Sequence, residues 1–240
     1  MRFISSFLAA LLVLFIPLTS NIETVSAEQE LTVSAAASLT NVFREIGKKF
    51  EASNPGFRVI LNFGASGALL QQIDKGAPVD VFASADQKTM NQAAEKGLII
   101  SDSRRDFVSN ELVLVLPPGA KARIEELKDL DAKQIGRIAL GNPETVPAGR
   151  YTQETLAKAG LWEVLTPKFI FGESVRQVLD YVSRGEVDAG FVFSTDAIVA
   201  RDKVHVALEA KDHQPITYPI SIVASTKNRH SAKRFVDFVL

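Results

Sequence analysis

The sequence VSAAASLTN, residues 33–41, joins an apolar strand pattern to a helix pattern through a run of small residues. After it, apolar side chains recur with helical spacing, which predicts one buried helix face: Leu39, Val42, Phe43, Ile46 and Phe50. Ser38 stands where the residue that caps this helix is expected. Small residues leave the free N–H groups of a helix start accessible, and those groups attract negative charge. The junction therefore predicts either a plain helix cap or an anion site.

Strand and helix patterns alternate along the rest of the chain. The strand segments are residues 31–34, 58–63, 79–83, 112–116, 137–140, 168–171, 189–193 and 220–224. Helical patterns follow most of them, and this order predicts largely parallel sheets with helices on both faces. Pro117-Pro118-Gly119 interrupts the series, because proline and glycine break regular structure. The sequence therefore predicts an α/β fold of two lobes, each a mostly parallel sheet flanked by helices.

Two strand segments are placed to carry the chain between the lobes. Leu112–Leu116 leads outward and Tyr218–Ala224 leads back. We therefore expect a first lobe of residues 28–112 plus 218–240 and a second lobe of residues 113–217. Two crossover strands predict a hinged molecule with a cleft, and ligands of open α/β sheets bind beyond the carboxyl ends of the strands.

The N-terminus carries the features of an export signal. Arg2 gives a positive start, residues 4–18 are almost entirely apolar, and Val25-Ser26-Ala27 offers a small-x-small cleavage pattern. The apolar stretch is short for a membrane span. We therefore predict a signal peptide of residues 1–27, cleavage after Ala27, and a mature protein in the bacterial periplasm.

Composition narrows the class of protein further. The 240 residues contain no cysteine and carry a formal net charge of −1. The lack of cysteine excludes a disulfide scaffold and attachment to a lipid through cysteine. A nearly neutral chain gives no reason to expect nucleic acid or an anionic membrane as a partner. We therefore expect a free, soluble monomer.

Four predicted strand-to-helix junctions, two in each lobe, share one chemistry. They are Ala37-Ser38, Gly64–Ala68, Val146–Gly149 and Glu173–Arg176. Each offers backbone N–H groups at a helix start, and serines add hydroxyls. Neutral donors with helix dipoles behind them suit a fully deprotonated oxyanion, which has no proton to donate. Convergence of the junctions predicts an oxyanion site in the cleft, with Arg176 on the solvent side of its helix.

Six segments, in this order, resemble those of the periplasmic molybdate-binding proteins of ABC importers: AAASLTNVF, GASGALLQQI, GAPVDVFASADQKTM, GNPETVPAGRY, ESVRQVL and GFVFSTDA. The resemblance covers nearly all of the chain after the predicted signal peptide. It implies a type II periplasmic-binding fold that closes on molybdate or tungstate, without a metal or other cofactor of its own. It also implies delivery of the oxyanion to an ABC permease in the inner membrane.

The resemblance assigns oxyanion-binding roles to five positions. Ser38 and Ser66 match serines that supply hydroxyl and backbone donors, and Ala148 and Val175 match positions that donate backbone N–H groups. Phe193 stands where the family has a tyrosine whose hydroxyl reaches the anion, so one donor is missing. The next two residues, both hydroxylic, or a water are candidates to supply it. Phe193 also fits a plain core aromatic of a strand. Family members usually continue past the FVDFVL helix with a short tail, so we expect its absence here to affect the first lobe more than the site.

Two other functions remain open from the residues. A binding protein for sulfate or phosphate would use similar donors, and a protonated phosphate would need an acceptor such as Asp80 or Asp86. An exported hydrolase is the alternative from another class. However, GASGA lacks the second glycine of a G-x-S-x-G elbow, and His205, His213 and His230 lie away from the four junctions. No spacing of base and nucleophile supports hydrolysis, so we expect no enzymatic activity.

Overall fold

A computed structural model describes residues 28–240. Its strands are β1 (Gln29–Ala36), β2 (Phe57–Gly64), β3 (Val81–Ala83), β4 (Arg105–Ser109), β5 (Leu112–Leu116), β6 (Ile138–Gly141), β7 (Phe169–Gly172), β8 (Ala189–Phe193), β9 (His205–Ala210) and β10 (Thr217–Ile222). Its α-helices are α1 (Thr40–Ser53), α2 (Ser66–Asp74), α3 (Gln87–Glu95), α4 (Pro147–Lys158), α5 (Trp162–Leu165), α6 (Val175–Ser183), α7 (Ser194–Val199) and α8 (Arg229–Val239). The predicted signal peptide, residues 1–27, lies outside the described residues.

The strands form two five-stranded sheets of closely similar design. The first has the order β2-β1-β3-β10-β4 and the second the order β7-β6-β8-β5-β9. In the first, β1 pairs in parallel with β2 and β3, and β10 runs antiparallel to β3 and β4. In the second, β6 pairs in parallel with β7 and β8, and β5 runs antiparallel to β8 and β9. Each sheet therefore has one strand opposed to the others, and the prediction of an α/β fold with two such sheets is confirmed.

The predicted strand segments all correspond to strands, although their ends differ by a few residues. The strands β4 and β9 contain only two and three consecutive apolar residues, and the pattern predicts neither of them. Both lie at the edge of a sheet and have mostly exposed or half-buried side chains. A strand that buries little apolar surface lacks the pattern by which strands are recognised.

The chain crosses between the sheets in two short links. Asn110 and Glu111 connect β4 of the first sheet to β5 of the second, and residues 211–216 connect β9 back to β10. The two links lie side by side, since the N–H of Asn110 donates to the carbonyl oxygen of Ile216 at 3.1 Å. The two sheets are therefore joined by backbone at one place only.

The helices bury their apolar faces on the sheets, and α1 shows how. Its Phe43 and Phe50 are at most 1% exposed, and their rings lie 6.3 and 5.2 Å from that of Phe235 on α8. Such aromatic contacts add to the stabilisation from burial and hold α8 against the first sheet. No helix within residues 28–240 is long and apolar enough to cross a membrane.

The fold brings four helical starts to one place. A 3-10 turn, Ala37–Leu39, follows β1, and α2, α4 and α6 begin within a few residues of the ends of β2, β6 and β7. Parallel neighbouring strands end at the same edge of their sheet. The helical starts of each lobe therefore lie together, and they meet those of the other lobe.

Candidate functional site

The helical starts of the two lobes surround one small cavity. Its volume is about 10 Å³, far less than the roughly 300–1,000 Å³ of pockets for larger organic ligands. Its described lining residues are Ala36, Ala37, Ser38, Gly64, Ala65, Ser66, Ala85, Val146, Pro147, Ala148, Val175 and Phe193. All five residues singled out in the sequence therefore line the same cavity, with Ser38 and Ser66 on one lobe and the other three on the second.

Ser38 reaches the cavity from the 3-10 turn and not from a helix cap. The prediction that it caps α1 is wrong, because the turn comes first and α1 begins at Thr40 with Leu39 in the cap position. The Ser38 hydroxyl oxygen instead lies 3.1 Å from the phenolic oxygen of Tyr218. The Ser38 side chain thus contacts Tyr218 of β10 and also lines the cavity.

Ser66 is the first residue of α2 and is fully buried. Its hydroxyl oxygen accepts a hydrogen bond from the N–H of Ala85 at 3.0 Å, so its own proton remains available to another acceptor. The N–H of Ser66 has no partner inside the helix, as is general for the first residues of a helix. Ser66 therefore offers the cavity a hydroxyl donor and a backbone donor.

The second lobe contributes Ala148 through the start of α4. Pro147 occupies the first helical position, where its missing N–H costs nothing, so Ala148 carries the first N–H of this helix. Gly149 and Gly141 let α4 approach β6, since a Cβ at Gly149 would lie 1.9 Å from the carbonyl oxygen of Gly141. Only glycine permits this packing, which brings the helix start to the cavity.

Val175 is the first residue of α6, and it contributes its backbone N–H to the cavity. Ser174 caps the helix by accepting a hydrogen bond from the N–H of Gln177 at 3.2 Å. This cap serves the N–H of Gln177, whereas the N–H of Val175, as the first of the helix, has no partner within it. The apolar Val175 side chain is 4% exposed and forms part of the wall.

Phe193 ends β8, is 1% exposed and forms another part of the wall. Its ring lies edge-on to those of Tyr151 and Tyr218, with centroids 6.4 and 5.7 Å away. It is therefore both a core aromatic and a lining residue, and it brings no donor. A phenolic hydroxyl does contact another lining residue, since that of Tyr218 bonds to Ser38.

None of the described lining residues is charged, and the cations nearest to them are paired. Arg150, which follows the lining residues of α4, places Nη2 2.6 Å from Oδ2 of Asp86. Arg176, which follows Val175, places Nε 2.6 Å from Oδ1 of Asp196. The cavity thus presents neutral N–H and O–H groups, and its positive potential comes from helix ends.

Arg176 does not lie on the solvent side of α6, so that prediction is wrong. Its side chain is 23% exposed because α7 packs beside α6 and supplies the fully buried Asp196. The two groups are close but not aligned as a hydrogen bond. Burial raises the pKa of Asp196 to about 6, although Arg176 opposes that increase. Arg176 Nη2 also donates to the carbonyl oxygen of Ser38 at 3.4 Å, across the two lobes.

A second set of polar contacts joins the lobes beside the cavity. Asp86 caps α3 by accepting from the N–H of Thr89 at 3.1 Å. Arg150 of the second lobe donates Nε to Asp86 Oδ2 at 2.8 Å and Nη2 to Thr89 Oγ1 at 2.8 Å. Gly67 adds a backbone bond, with its N–H donating to the carbonyl oxygen of Thr145 at 3.0 Å. These contacts exist only while the lobes are together, so the structure is that of a closed molecule.

The donors of the cavity differ from those of a metal site. Within residues 28–240, no group of three or more histidine, cysteine, aspartate or glutamate side chains is placed to hold a metal ion. The cavity lining offers hydroxyl and amide groups instead. Such a donor set favours an anion over a cation.

Residues 31–240 match the family of bacterial extracellular solute-binding proteins. The chain belongs to this family. It is 38% identical to the molybdate-binding protein ModA of Escherichia coli, over 88% of this chain and 84% of ModA. It is 40% identical to YvgL of Bacillus subtilis, which is named as a candidate ABC transporter substrate-binding lipoprotein, over 98% of this chain and 92% of YvgL.

The fold is also that of solved binding proteins. The periplasmic molybdate-binding protein of Azotobacter vinelandii superposes with a TM-score of 0.78 and 26% identity, over 87% of this chain and 92% of that one. The resemblance to periplasmic molybdate-binding proteins and the type II periplasmic-binding fold are thereby confirmed. The role of the family is solute binding, which is a transport role and not a catalytic one.

Sequence reasoning missed the residues that surround the lining. Tyr218 meets Ser38 across 180 positions of the chain, and Arg150 meets Asp86 across 64. Neither pair leaves a local pattern, because the contacts depend on how the strands and lobes assemble. Asp86 is recognisable from the sequence as a cap or acceptor candidate, and the structure shows the capping role.

Proposed function

We propose that the protein captures molybdate or tungstate outside the cytoplasm and delivers it to an ABC permease in the inner membrane. One observation carries the proposal: neutral donors from both lobes converge on a single small cavity. We infer that Ser38 and Ser66 donate from the first lobe and that Ala148 and Val175 donate from the second. The similarity to the molybdate-binding protein ModA supports the identity of the anion.

The donor set suits a dianion energetically. Each hydrogen bond from a neutral donor to an ionised acceptor contributes about 1.5–3 kcal/mol. A handful of such bonds, together with the N-termini of three helices, offsets the association cost of roughly 4–15 kcal/mol. Because each lobe supplies only part of the set, we expect full affinity only when the lobes close on the anion.

A fully deprotonated oxyanion fits the lining better than phosphate. Phosphate carries a proton near neutral pH and needs an acceptor, but none of the described lining residues is a carboxylate. Asp86 already accepts from Arg150 and from the N–H of Thr89. Asp80 accepts from the N–H of Thr32 at 2.8 Å and is not a lining residue. Neither of the two candidate acceptors therefore serves a bound phosphate.

The mode of action follows from the fold. We propose that residues 28–109 plus 217–240 and residues 112–210 move as two lobes about the links at Asn110–Glu111 and 211–216, which shifts the predicted bounds of 28–112 plus 218–240 and 113–217 by a few residues. The closed monomer presents both lobes to the permease, and opening releases the oxyanion there. We also propose that residues 1–27 direct export and are cut after Ala27, which frees the protein in the periplasm. No catalytic step is involved.

Isothermal titration calorimetry on the mature protein with molybdate, tungstate, sulfate and phosphate tests the proposal. We expect molybdate or tungstate to bind with a Kd below about 100 μM, which corresponds to ~5.5 kcal/mol. Failure of both to bind at that level would overturn the proposal. If sulfate or phosphate binds more tightly than molybdate and tungstate, that anion is the ligand and the proposed identity of the ligand is wrong.

Two serine variants test the roles assigned to the hydroxyls. Ser38→Ala and Ser66→Ala should each weaken molybdate binding by about 1–3 kcal/mol, the cost of a lost bond to an anion. Ser53→Ala, on the exposed end of α1, is the matched control and should bind like the parent. Unchanged affinity in both Ser38→Ala and Ser66→Ala would remove their hydroxyls from the mechanism.

A further inference from the structure

We propose that Asn110 and Tyr218 are positioning residues that force the hydroxyl of Ser38 to donate into the cavity. This inference rests on the proposed function, because it concerns how the same cavity treats an anion. It adds two residues that do not line the cavity and assigns each hydrogen bond in their chain a direction. That chain of bonds begins at Asn110, whose orientation is fixed, and ends at the cavity.

The orientation of the Asn110 side chain is fixed by the backbone. The N–H of Glu111 lies 2.9 Å from one terminal atom of the Asn110 amide. A backbone N–H only donates, so that atom must be the carbonyl oxygen and the other must be the NH₂ group. Asn110 therefore presents two N–H donors on its other side.

Both of these donors meet hydroxyl groups. Asn110 Nδ2 lies 2.8 Å from Oγ1 of Thr195 on α7 and 3.1 Å from the phenolic oxygen of Tyr218. An amide NH₂ group has no lone pair to offer. The phenol of Tyr218 must therefore accept from Asn110 and direct its own proton elsewhere.

The proton of Tyr218 has one acceptor among the described residues. Tyr218 is 1% exposed, and the other contact of its phenolic oxygen is Oγ of Ser38 at 3.1 Å. Burial raises the pKa of Tyr218, so the phenol keeps its proton at neutral pH. If Ser38 donated to Tyr218 instead, the phenolic proton would be left without an acceptor in a buried site, which proteins avoid.

The hydroxyl of Ser38 consequently accepts from Tyr218 and directs its proton away from it. Ser38 lines the cavity, so the proton is available to an oxygen of the bound ion. An oxyanion without a proton can accept it at every oxygen. A protonated oxygen carries less negative charge and accepts this proton less strongly than an ionised oxygen does, so the chain of bonds favours a fully deprotonated oxyanion.

The chain of bonds also spans the hinge. Asn110 belongs to a link between the sheets, Tyr218 to β10 of the first sheet, and Thr195 to α7 of the second lobe. Through Tyr218, the Asn110 amide therefore fixes the direction of the Ser38 hydroxyl. The same amide bonds to α7, the helix that directly follows the lining residue Phe193. Its geometry is complete in the closed molecule, where the oxyanion is enclosed.

A double-mutant cycle with molybdate tests the role of Tyr218. Tyr218→Phe keeps the ring beside Phe193 and removes the phenolic oxygen, and we expect about a fivefold to fiftyfold loss of affinity. Because Tyr218 acts through Ser38, Ser38→Ala combined with Tyr218→Phe should bind no more weakly than Ser38→Ala alone. Tyr181→Phe, a partly buried tyrosine away from the cavity, is the control. The melting temperature of each ligand-free variant shows that it is folded.

Two results would overturn the inference. One is a Tyr218→Phe variant that binds molybdate as the parent does. The other is full additivity of the two substitutions, which would mean that Tyr218 supports the fold and does not act through Ser38.

Neutron diffraction from a perdeuterated crystal gives a readout that needs no ligand. We expect the phenolic deuteron of Tyr218 to lie on the line to Ser38 Oγ. A deuteron on Ser38 that points at Tyr218 would refute the assigned direction. If the parent binds neither molybdate nor tungstate, the proposed function fails, while the deuteron position still decides the direction of the chain of bonds.

Discussion

Replacement of Gly67 by alanine should weaken oxyanion binding by preventing full closure of the lobes. Gly67 is the second residue of α2, and its N–H donates to the carbonyl oxygen of Thr145 in the other lobe at 3.0 Å. A Cβ at position 67 would lie 2.8 Å from that oxygen and 2.9 Å from the Cα of Thr145. Both atoms are backbone, so no flexible side chain can move aside, and the lobes themselves must shift.

The size of the effect follows from these distances. Ordinary contacts of a Cβ begin at 3.4 Å, so the two backbones must separate by about half an ångström at this point. Overpacking of this kind costs about 1–3 kcal/mol, and stretching the N–H···O bond loses part of its ~0.5–1.5 kcal/mol. A total near 2–3 kcal/mol corresponds to a loss of affinity of roughly 30- to 150-fold. The open, ligand-free protein should keep its stability, because the clash exists only on closure.

Calorimetry with molybdate on the parent and on Gly67→Ala measures the change, and thermal unfolding without ligand checks the fold. Gly47→Ala is the matched control, because Gly47 is helical and its added Cβ would meet Leu61 at an ordinary 3.6 Å. The control should bind like the parent. A Gly67→Ala protein whose Kd stays within about threefold of the parent's, a difference below ~0.7 kcal/mol, would refute the closure mechanism.

Three further substitutions address the surroundings of the cavity. Arg150→Met should weaken molybdate binding by at least about tenfold in calorimetry, because closure would bury Asp86 without its partner; unchanged affinity would show that the pair does not assist closure. Phe193→Tyr should bind molybdate as tightly as the parent or up to about tenfold more tightly, since it adds a donor at the wall; a loss beyond tenfold would mean that the ring cannot accept a hydroxyl there. Asp196→Asn should remove a pH dependence of stability. The native pKa of about 6 exceeds the ordinary 3.8, so the parent should gain about 2–2.5 kcal/mol of unfolding free energy relative to the variant as pH falls from 7 to 4. Urea unfolding across that range measures it, and a relative loss at low pH would contradict the assigned cause.

The sequence predicts the fold well where burial leaves a repeated pattern. The run Ala189–Phe193 is buried throughout and matches β8 in full, and Leu112–Leu116 matches β5. The edge strand β4 leaves no such pattern, because only its central Phe107 is even partly buried. Apolar periodicity reports the contact of an element with the core, so elements that touch little of the core remain invisible to it.

The candidate site, like the fold, is only partly predictable from the sequence. Helix starts after parallel strands are local features, so the sequence pattern predicts that the junctions Val146–Gly149 and Glu173–Arg176 lie at the cleft. The choice of Ala148 and Val175 within them comes from the family resemblance. It misplaces the start of α1, because the small residues before Ser38 also permit the 3-10 turn that the fold selects. It misplaces Arg176 because helical spacing alone does not reveal that α7 covers that side of α6 with Asp196.

The neutral lining has a consequence for how closure is controlled. The N-termini of α2, α4 and α6 each carry a partial positive charge of about half an elementary unit, and closure brings these ends around one cavity. Without an anion the like charges oppose closure, while the pair of Arg150 with Asp86 favours it. A bound dianion attracts the helix ends of both lobes, so the electrostatics of the helix ends then favours closure instead of opposing it. Arg176 adds little to this balance, because its charge is already offset by Asp196. We therefore expect closure to depend on the charge of the ligand, so that a singly charged oxyanion of similar size should leave a larger fraction of the molecules open.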